Sequence, residues 1–218
     1  MGAKISVRPK ARAAMAAAAT AGLAAAMISI VGSGSASADP VSLELNYHCV
    51  FPQIDSQPLK VRIKSDIPKT IAVGQNTGAF KIETIDTVYD DTTNGLNLVG
   101  AKTLEGTAKA TATVHAPQGN ITVKPPITVD KVNVPESGPF DLHAAGSTPN
   151  LKFSKAGDAT IDVTALDLTM IARDDTGAAL DLDGDGNDNF FAPCTQDPGQ
   201  NNILAKFTIT EGSGSTPP

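Results

Sequence analysis

The chain has 218 residues, with 23 acidic and 17 basic side chains and a formal net charge of −6. Four of the basic residues fall within the first 12 positions, so the remainder carries 23 acidic against 13 basic residues, a net charge of −10. Nucleic acids repel a chain of this charge that has no lysine- or arginine-rich run, so we exclude nucleic-acid binding. The length is that of one domain with a full hydrophobic core.

Residues 1–38 have the pattern of a secretory signal peptide. A basic start is followed by an alanine-rich apolar stretch from Ala13, and Ala36 and Ala38 form the small-x-small pattern of a cleavage site. We place cleavage between Ala38 and Asp39. An uncleaved membrane anchor is the alternative, and the cleavage pattern disfavours it. No later segment is long and apolar enough to span a bilayer, so the sequence predicts a secreted protein that is not an integral membrane protein.

The two cysteines, Cys49 and Cys194, are predicted to form one disulfide that joins the N- and C-terminal regions of the mature chain. Disulfides form and persist in exported proteins. A redox pair would need CxxC-like proximity, and a thiolate metal site would need further cysteine or histidine ligands. The sequence has neither.

Apolar residues alternate with polar ones almost everywhere after residue 40. The alternation is clearest over residues 43–51, 59–64 and 107–114, and it is typical of strands that bury one face. It predicts about nine to eleven strands, separated by turn-forming residues about every 8–12 positions. No segment after the signal peptide shows a helical repeat.

This spacing predicts an all-β fold, and we expect a single antiparallel β-sandwich of the immunoglobulin-like kind. The domain is predicted to span residues 39–210, with a flexible tail over residues 211–218. A boundary near residues 115–135 is the alternative. The chain has no tryptophan and its cysteines lie near its two ends, so we expect a topology looser than that of antibody domains.

Two short motifs lie near the ends of the mature chain. The first consists of Tyr47, Cys49, Phe51 and Pro52, and the second of Pro193, Cys194, Thr195, Asp197, Pro198, Gly199 and Gln200. In these motifs the chain resembles a family of secreted actinobacterial domains of unknown function. The resemblance implies a secreted β-sandwich and no particular activity.

An acidic loop resembles a calcium-binding loop. Its candidate ligands alternate along the chain: Asp181, Asp183, Asp185, Asn187 and Asn189. Gly186 allows the bend that brings such ligands together around one cation. Position 12 of a complete loop is a bidentate glutamate, and here it is Ala192. Calcium is therefore the one cofactor that the sequence favours, with a polar turn between two strands as the alternative.

The sequence contains no convincing catalytic constellation. His48, His115 and His143 have no zinc-site spacing and are interpreted as surface residues. The adjacent acids at 90–91 and 174–175 are interpreted as solvated turns. We therefore predict no catalytic residues.

We expect a non-catalytic, extracellular or cell-envelope-associated domain that interacts with an envelope component or a surface protein. A secreted protein that binds calcium or a small ligand is the first alternative, and a secreted hydrolase with an acidic site is the second.

Overall fold

The computed structural model describes residues 38–212, so nearly all of the signal peptide and most of the predicted tail lie outside the described residues. The described elements are β1 (Ala38–Phe51), β2 (Asp55–Pro68), β3 (Thr70–Ala72), β4 (Lys81–Val88), α1 (Asp90–Leu98), β5 (Thr103–Ala116), β6 (Gly119–Val123), β7 (Pro126–Asn133), β8 (Phe140–Ser147), β9 (Gly157–Arg173), β10 (Phe190–Gln196) and β11 (Ile203–Thr210). The predicted all-β class is confirmed. Within residues 38–212, no helix has the length and apolar character needed to cross a membrane.

Eight strands form a closed antiparallel barrel, so the predicted immunoglobulin-like sandwich is wrong. The order is β1–β2–β4–β8–β7–β5–β9–β10, and β10 pairs again with β1. Strand β9 closes the ring because it pairs with β5 along one edge and with β10 along the other. A sandwich and a barrel both bury one face of each strand, so the alternation in sequence is the same for both.

The three remaining strands extend the barrel at one end. Along one edge of β5, the partner changes from β7, which pairs up to Lys109, to β6, which pairs from Ala112. Along one edge of β9, the partner changes from β10 to β11, and β3 pairs in parallel with β11. The alternative domain boundary near residues 115–135 therefore falls among strands that pair with one another.

The long strands cross two hydrophobic cores. The barrel core includes Leu45, Leu59, Leu142, Leu168 and Met170, all buried. The second core lies under β3, β6 and β11 and includes Ile67, Phe80, Val123, Phe153 and Phe207. Strands β1, β2 and β5 have 14 residues and β9 has 17, against about 5–6 for a common strand, and this length lets them contribute to both cores.

Helix α1 was not predicted, and its first turn occupies the position expected for a solvated turn. It has only nine residues and contains Thr, Asn and Gly, which are weak helix formers, so its pattern is not helical. Tertiary contacts stabilise it instead: Thr93 and Leu96 are buried. The Asn97 side chain also donates a hydrogen bond of 2.8 Å to the carbonyl oxygen of Pro135.

The two end motifs meet at the seam between β1 and β10. Cys49 and Cys194 are paired in register there, with Cα atoms 3.9 Å apart, and the predicted disulfide is present. Beside it, the Gln200 side chain donates a hydrogen bond of 2.8 Å to the Asn46 carbonyl oxygen and accepts one of 2.7 Å from the Asn46 amide. This side chain extends a seam that has only three registered pairs, Tyr47–Gln196, His48–Thr195 and Cys49–Cys194.

Replacing both Cys49 and Cys194 with serine should destabilise the barrel strongly. The disulfide closes a loop of 145 residues, and the chain-entropy model gives about 5 kcal/mol for such a loop as an upper value. We expect urea denaturation of the double variant to show a lower midpoint with an unchanged spectrum of β-structure. A midpoint equal to that of the oxidised wild type would contradict a stabilising role, and the reduced wild type provides the control.

Candidate functional site

Part of the barrel interior is lined by alanine rather than by large side chains. Ala108, Ala110 and Ala112 of β5 face a cavity of about 60 Å³, which has room for about two water molecules at ~30 Å³ each. Eight-stranded barrels are either filled by their own side chains or hold one small ligand. The alanines leave space of the second kind.

Four polar side chains line this otherwise apolar cavity: Tyr47, Thr84, Asp86 and Thr111. Asp86 is 3% exposed, and its neighbours in register are Val61 on β2 and Leu142 on β8, both buried. The Thr84 hydroxyl donates a hydrogen bond to the Asp86 carboxyl group. The Oδ1 atom of Asp86 has no hydrogen-bond partner among residues 38–212. A buried acceptor of this kind is rare, because leaving it unpaired costs about 1–3 kcal/mol.

Burial dominates the electrostatics of the cavity. The pKa of Asp86 is raised to about 7, mainly by burial and to a smaller extent by the nearby charge of Asp141. The Thr84 hydrogen bond and the charge of Arg62 act in the opposite direction. Burial, with a smaller contribution from Asp86, also raises the pKa of Tyr47 to about 12. The Tyr47 hydroxyl therefore keeps its proton at neutral pH, and Asp86 is close to half-protonated.

The cavity lies where β5 and β9 change partners. The β5–β9 pairing shifts register between Thr111 and Ala112, opposite Ala165 and Val163. Ala165 lines the cavity and is exposed at the surface. Irregular pairing of this kind is common at barrel rims and beside functional sites.

A second apolar cavity of about 50 Å³ lies next to the first, on the side of the second core. The two share four lining residues, Ile82, Ala112, Pro125 and Leu204. The second cavity continues toward Phe80, Val123 and Ile161. Most lining residues of both cavities are apolar, and the buried carboxyl group of Asp86 lines the first.

The candidate calcium ligands lie in the exposed loop between β9 and β10, as the sequence predicted. Carboxylate oxygens of Asp181, Asp183 and Asp185 lie within 4.8 Å of one another, and Gly186 has the left-handed φ of 84° that the bend requires. The backbone amide and the side chain of Asn187 donate hydrogen bonds of 2.8 and 2.7 Å to the Asp185 carboxylate. Asn189 is exposed beside β10.

Hydrogen bonds within the loops already occupy several of these carboxylates. Asp181 accepts backbone hydrogen bonds from Gly184 and Gly186. The Asn187 side chain, and then its amide, hold the pKa of Asp185 below its usual value. Asp174, in the turn that follows β9, caps that turn by accepting three hydrogen bonds from Thr176 and Ala178. Calcium binding stays a prediction.

The histidines are separate from one another and from the barrel cavity. Nδ1 of His48 lies 2.6 Å from Oδ1 of Asp197 on the outer face, and the His48 side chain is 51% exposed. Nε2 of His115 lies 3.3 Å from Oδ2 of Asp162. His143 is exposed on β8. Neither of these two pairs lines the cavity, which is where a buried reactive group would have to act.

A family model described as "Family of unknown function (DUF6801)" matches residues 46–205, which is well over half of the chain. The chain belongs to the DUF6801 family. The resemblance to a domain family of unknown function is thereby confirmed, and the matched segment includes both end motifs of the DUF6801 domain and its barrel cavity. No curated protein matches the chain, and no solved structure matches it.

Sequence reasoning did not single out Asp86 of this DUF6801 domain. The signal that could have identified it is its position in β4, where every second residue faces the same side and Asp86 shares its side with Ile82 and Val88. Ile85 on the opposite face obscures the pattern, because it makes either face a candidate for burial. The structure resolves this ambiguity: Asp86 faces the cavity.

The stability of the DUF6801 domain should fall as pH rises from about 4 to about 7. Burial raises the pKa of Asp86 from 3.8 to about 7, so the folded chain holds a proton that the unfolded chain has lost in this range. The free energy of unfolding therefore falls by about 4 kcal/mol between these limits. The stabilisation from this proton is fully present below the pKa of the unfolded chain and is lost as the pH rises through the pKa of the folded chain. We expect Asp86→Asn to lack this dependence and to be more stable than wild type at pH 8.

Urea denaturation at pH 4, 6 and 8 would measure the difference. Asp130→Asn, on the exposed face of β7, is the matched control and should keep the wild-type slope. Equal slopes for wild type and Asp86→Asn would contradict a buried, protonated carboxyl group at this position.

If the acidic loop binds calcium, about 10 mM calcium should raise the melting temperature relative to chelator. An extracellular site with a Kd of about 1 mM would add about 1.4 kcal/mol, or about 3–5 °C for a domain of this size. Asp183→Ala should lose the shift, and Asp130→Ala should keep it. An unchanged melting temperature in the wild type would contradict the calcium prediction.

Proposed function

We propose that this DUF6801 domain is an exported, non-catalytic binding protein whose ligand occupies the interior of the barrel. The observation that carries the proposal is the Asp86 carboxyl group, 3% exposed, with an unpaired Oδ1 in an apolar cavity. Pockets that bind small molecules combine an apolar lining with a few inward polar groups and a shifted pKa. This combination supports the small-ligand alternative over a surface interaction role.

Export is supported by two features of different kinds. Residues 1–38 have the pattern of a cleaved signal peptide. The Cys49–Cys194 disulfide belongs with an oxidising compartment. A carrier or receptor for a small molecule outside the cytoplasm is consistent with both.

The composition of the cavity supports binding rather than catalysis. Hydrolysis by paired acids needs a second carboxyl group opposite the first. Asp86 is the one carboxylic acid among the described residues that line this cavity, and no histidine, cysteine or lysine lines it with Asp86. Thr84 and Tyr47 provide hydroxyl groups, which suit hydrogen bonding to a ligand.

A partner in the cell envelope stays a prediction. Val50 and Phe191, on the adjacent strands β1 and β10, are 49% and 53% exposed. Such side chains are compatible with a docking contact, but two residues are common on ordinary surfaces. The barrel cavity does not depend on this contact.

Xenon should bind the chain that begins at Asp39, because xenon enters apolar protein cavities and a single atom is small enough for a space of about 60 Å³. We expect methyl resonances of Val61 and Ile127, which line the cavity, to shift on titration, while surface methyl groups stay unchanged. Ala110→Leu should fill the cavity and abolish the shifts. Thr113→Leu, on the same strand and outside the cavity lining, is the control that should keep them. Titration of the wild type without any shift would contradict the proposal.

A further inference from the structure

We propose that the ligand is a linear amphiphile with a hydrogen-bond-donating head, an alcohol or an amine, and a short hydrocarbon chain. The head would lie at Asp86, and the chain would extend along the residues that line both cavities, toward the second core. This inference rests on the proposed function and names the class of ligand for the same site.

The head group follows from what Asp86 lacks. Its Oδ1 accepts no hydrogen bond within the described part of the chain, while Thr84 already donates to the carboxyl group. A ligand O–H or N–H would supply the missing donor, and hydrogen bonds to charged groups are among the stronger ones. A carboxylate head would instead place a second negative charge beside Asp86 in an apolar space, which is unfavourable.

The direction of the chain follows from the residues that the two cavities share. Ile82, Ala112 and Leu204 border both spaces, so a chain that points from Asp86 toward them points toward the second space. Phe80 and Val123 continue the lining there, and both are buried. Two hydroxyl side chains also line the second space, Ser65 and Thr148, and both already hydrogen-bond to backbone groups. The rest of the lining is apolar, which suits methylene groups.

The length of the chain follows from the volumes. The two cavities have volumes of about 60 and 50 Å³. A methylene group occupies about as much space as a water molecule in the liquid, ~30 Å³, so the combined space suits about four non-hydrogen atoms. 1-Propanol has this size, and propylamine and propanoate carry the same chain length with different heads.

The test is isothermal titration of the chain that begins at Asp39 with 1-propanol, propylamine and propanoate at pH 8, where Asp86, with a pKa of about 7, is mostly ionised. We expect the alcohol or the amine to bind at least tenfold more tightly than propanoate. Asp86→Leu should remove the preference while xenon still binds. Ala112→Leu should weaken 1-propanol at least tenfold and leave methanol unchanged, with Ala112→Val as the smaller substitution if the first fails to fold.

Each outcome separates the inference from the proposed function. Equal affinity for the three heads, with xenon bound normally, would overturn the role of Asp86 and leave the barrel as a binding site. An unchanged preference for 1-propanol over methanol in Ala112→Leu would overturn the direction of the chain. If xenon and all three three-carbon probes fail to bind the wild type, both proposals are overturned.

Discussion

Strand β9 holds the molecule together because both of its edges are hydrogen-bonded over most of its 17 residues. One edge pairs with β5, and the other pairs first with β11 and then with β10. Between these two partners, the Val163 amide bonds to the carbonyl oxygen of Asn202, so the wall stays continuous. Every strand of the barrel consequently has two neighbours, and the ring is closed.

Closing the ring creates an interior that has to be filled. Near α1 it is filled by large side chains, and Phe51 packs edge-on against Phe190 with ring centroids 6.4 Å apart. Toward the middle, the alanines of β5 leave the space that Asp86 borders. A carboxyl group buried without its full set of hydrogen bonds reduces stability at neutral pH. Departures of this kind from the best local choice are typical of functional sites, where binding compensates for lost stability.

The parts that sequence reasoning predicted correctly depend on short-range pattern or on simple chemistry. Alternation with a period of two predicts strands wherever one face is buried, and the two cysteines of an exported chain have only each other as partners. The parts it missed depend on distant contacts. Asp90–Leu98 is helical because it packs against the barrel end, in spite of a weak propensity. Asp86 belongs to the site because Tyr47, from a strand two places away in the ring, faces the same cavity.

The amino-acid pattern was therefore sufficient for the strand content, the net acidic charge and the disulfide, because each of these follows from residue type and local spacing. The barrel, its cavity and the environment of Asp86 arise from long-range pairing. The same alternating strands could have formed two packed sheets, and the choice depends on β9 joining β5 to β10. Once that closure is made, an aspartate in phase with isoleucine and valine becomes a buried acid facing a cavity.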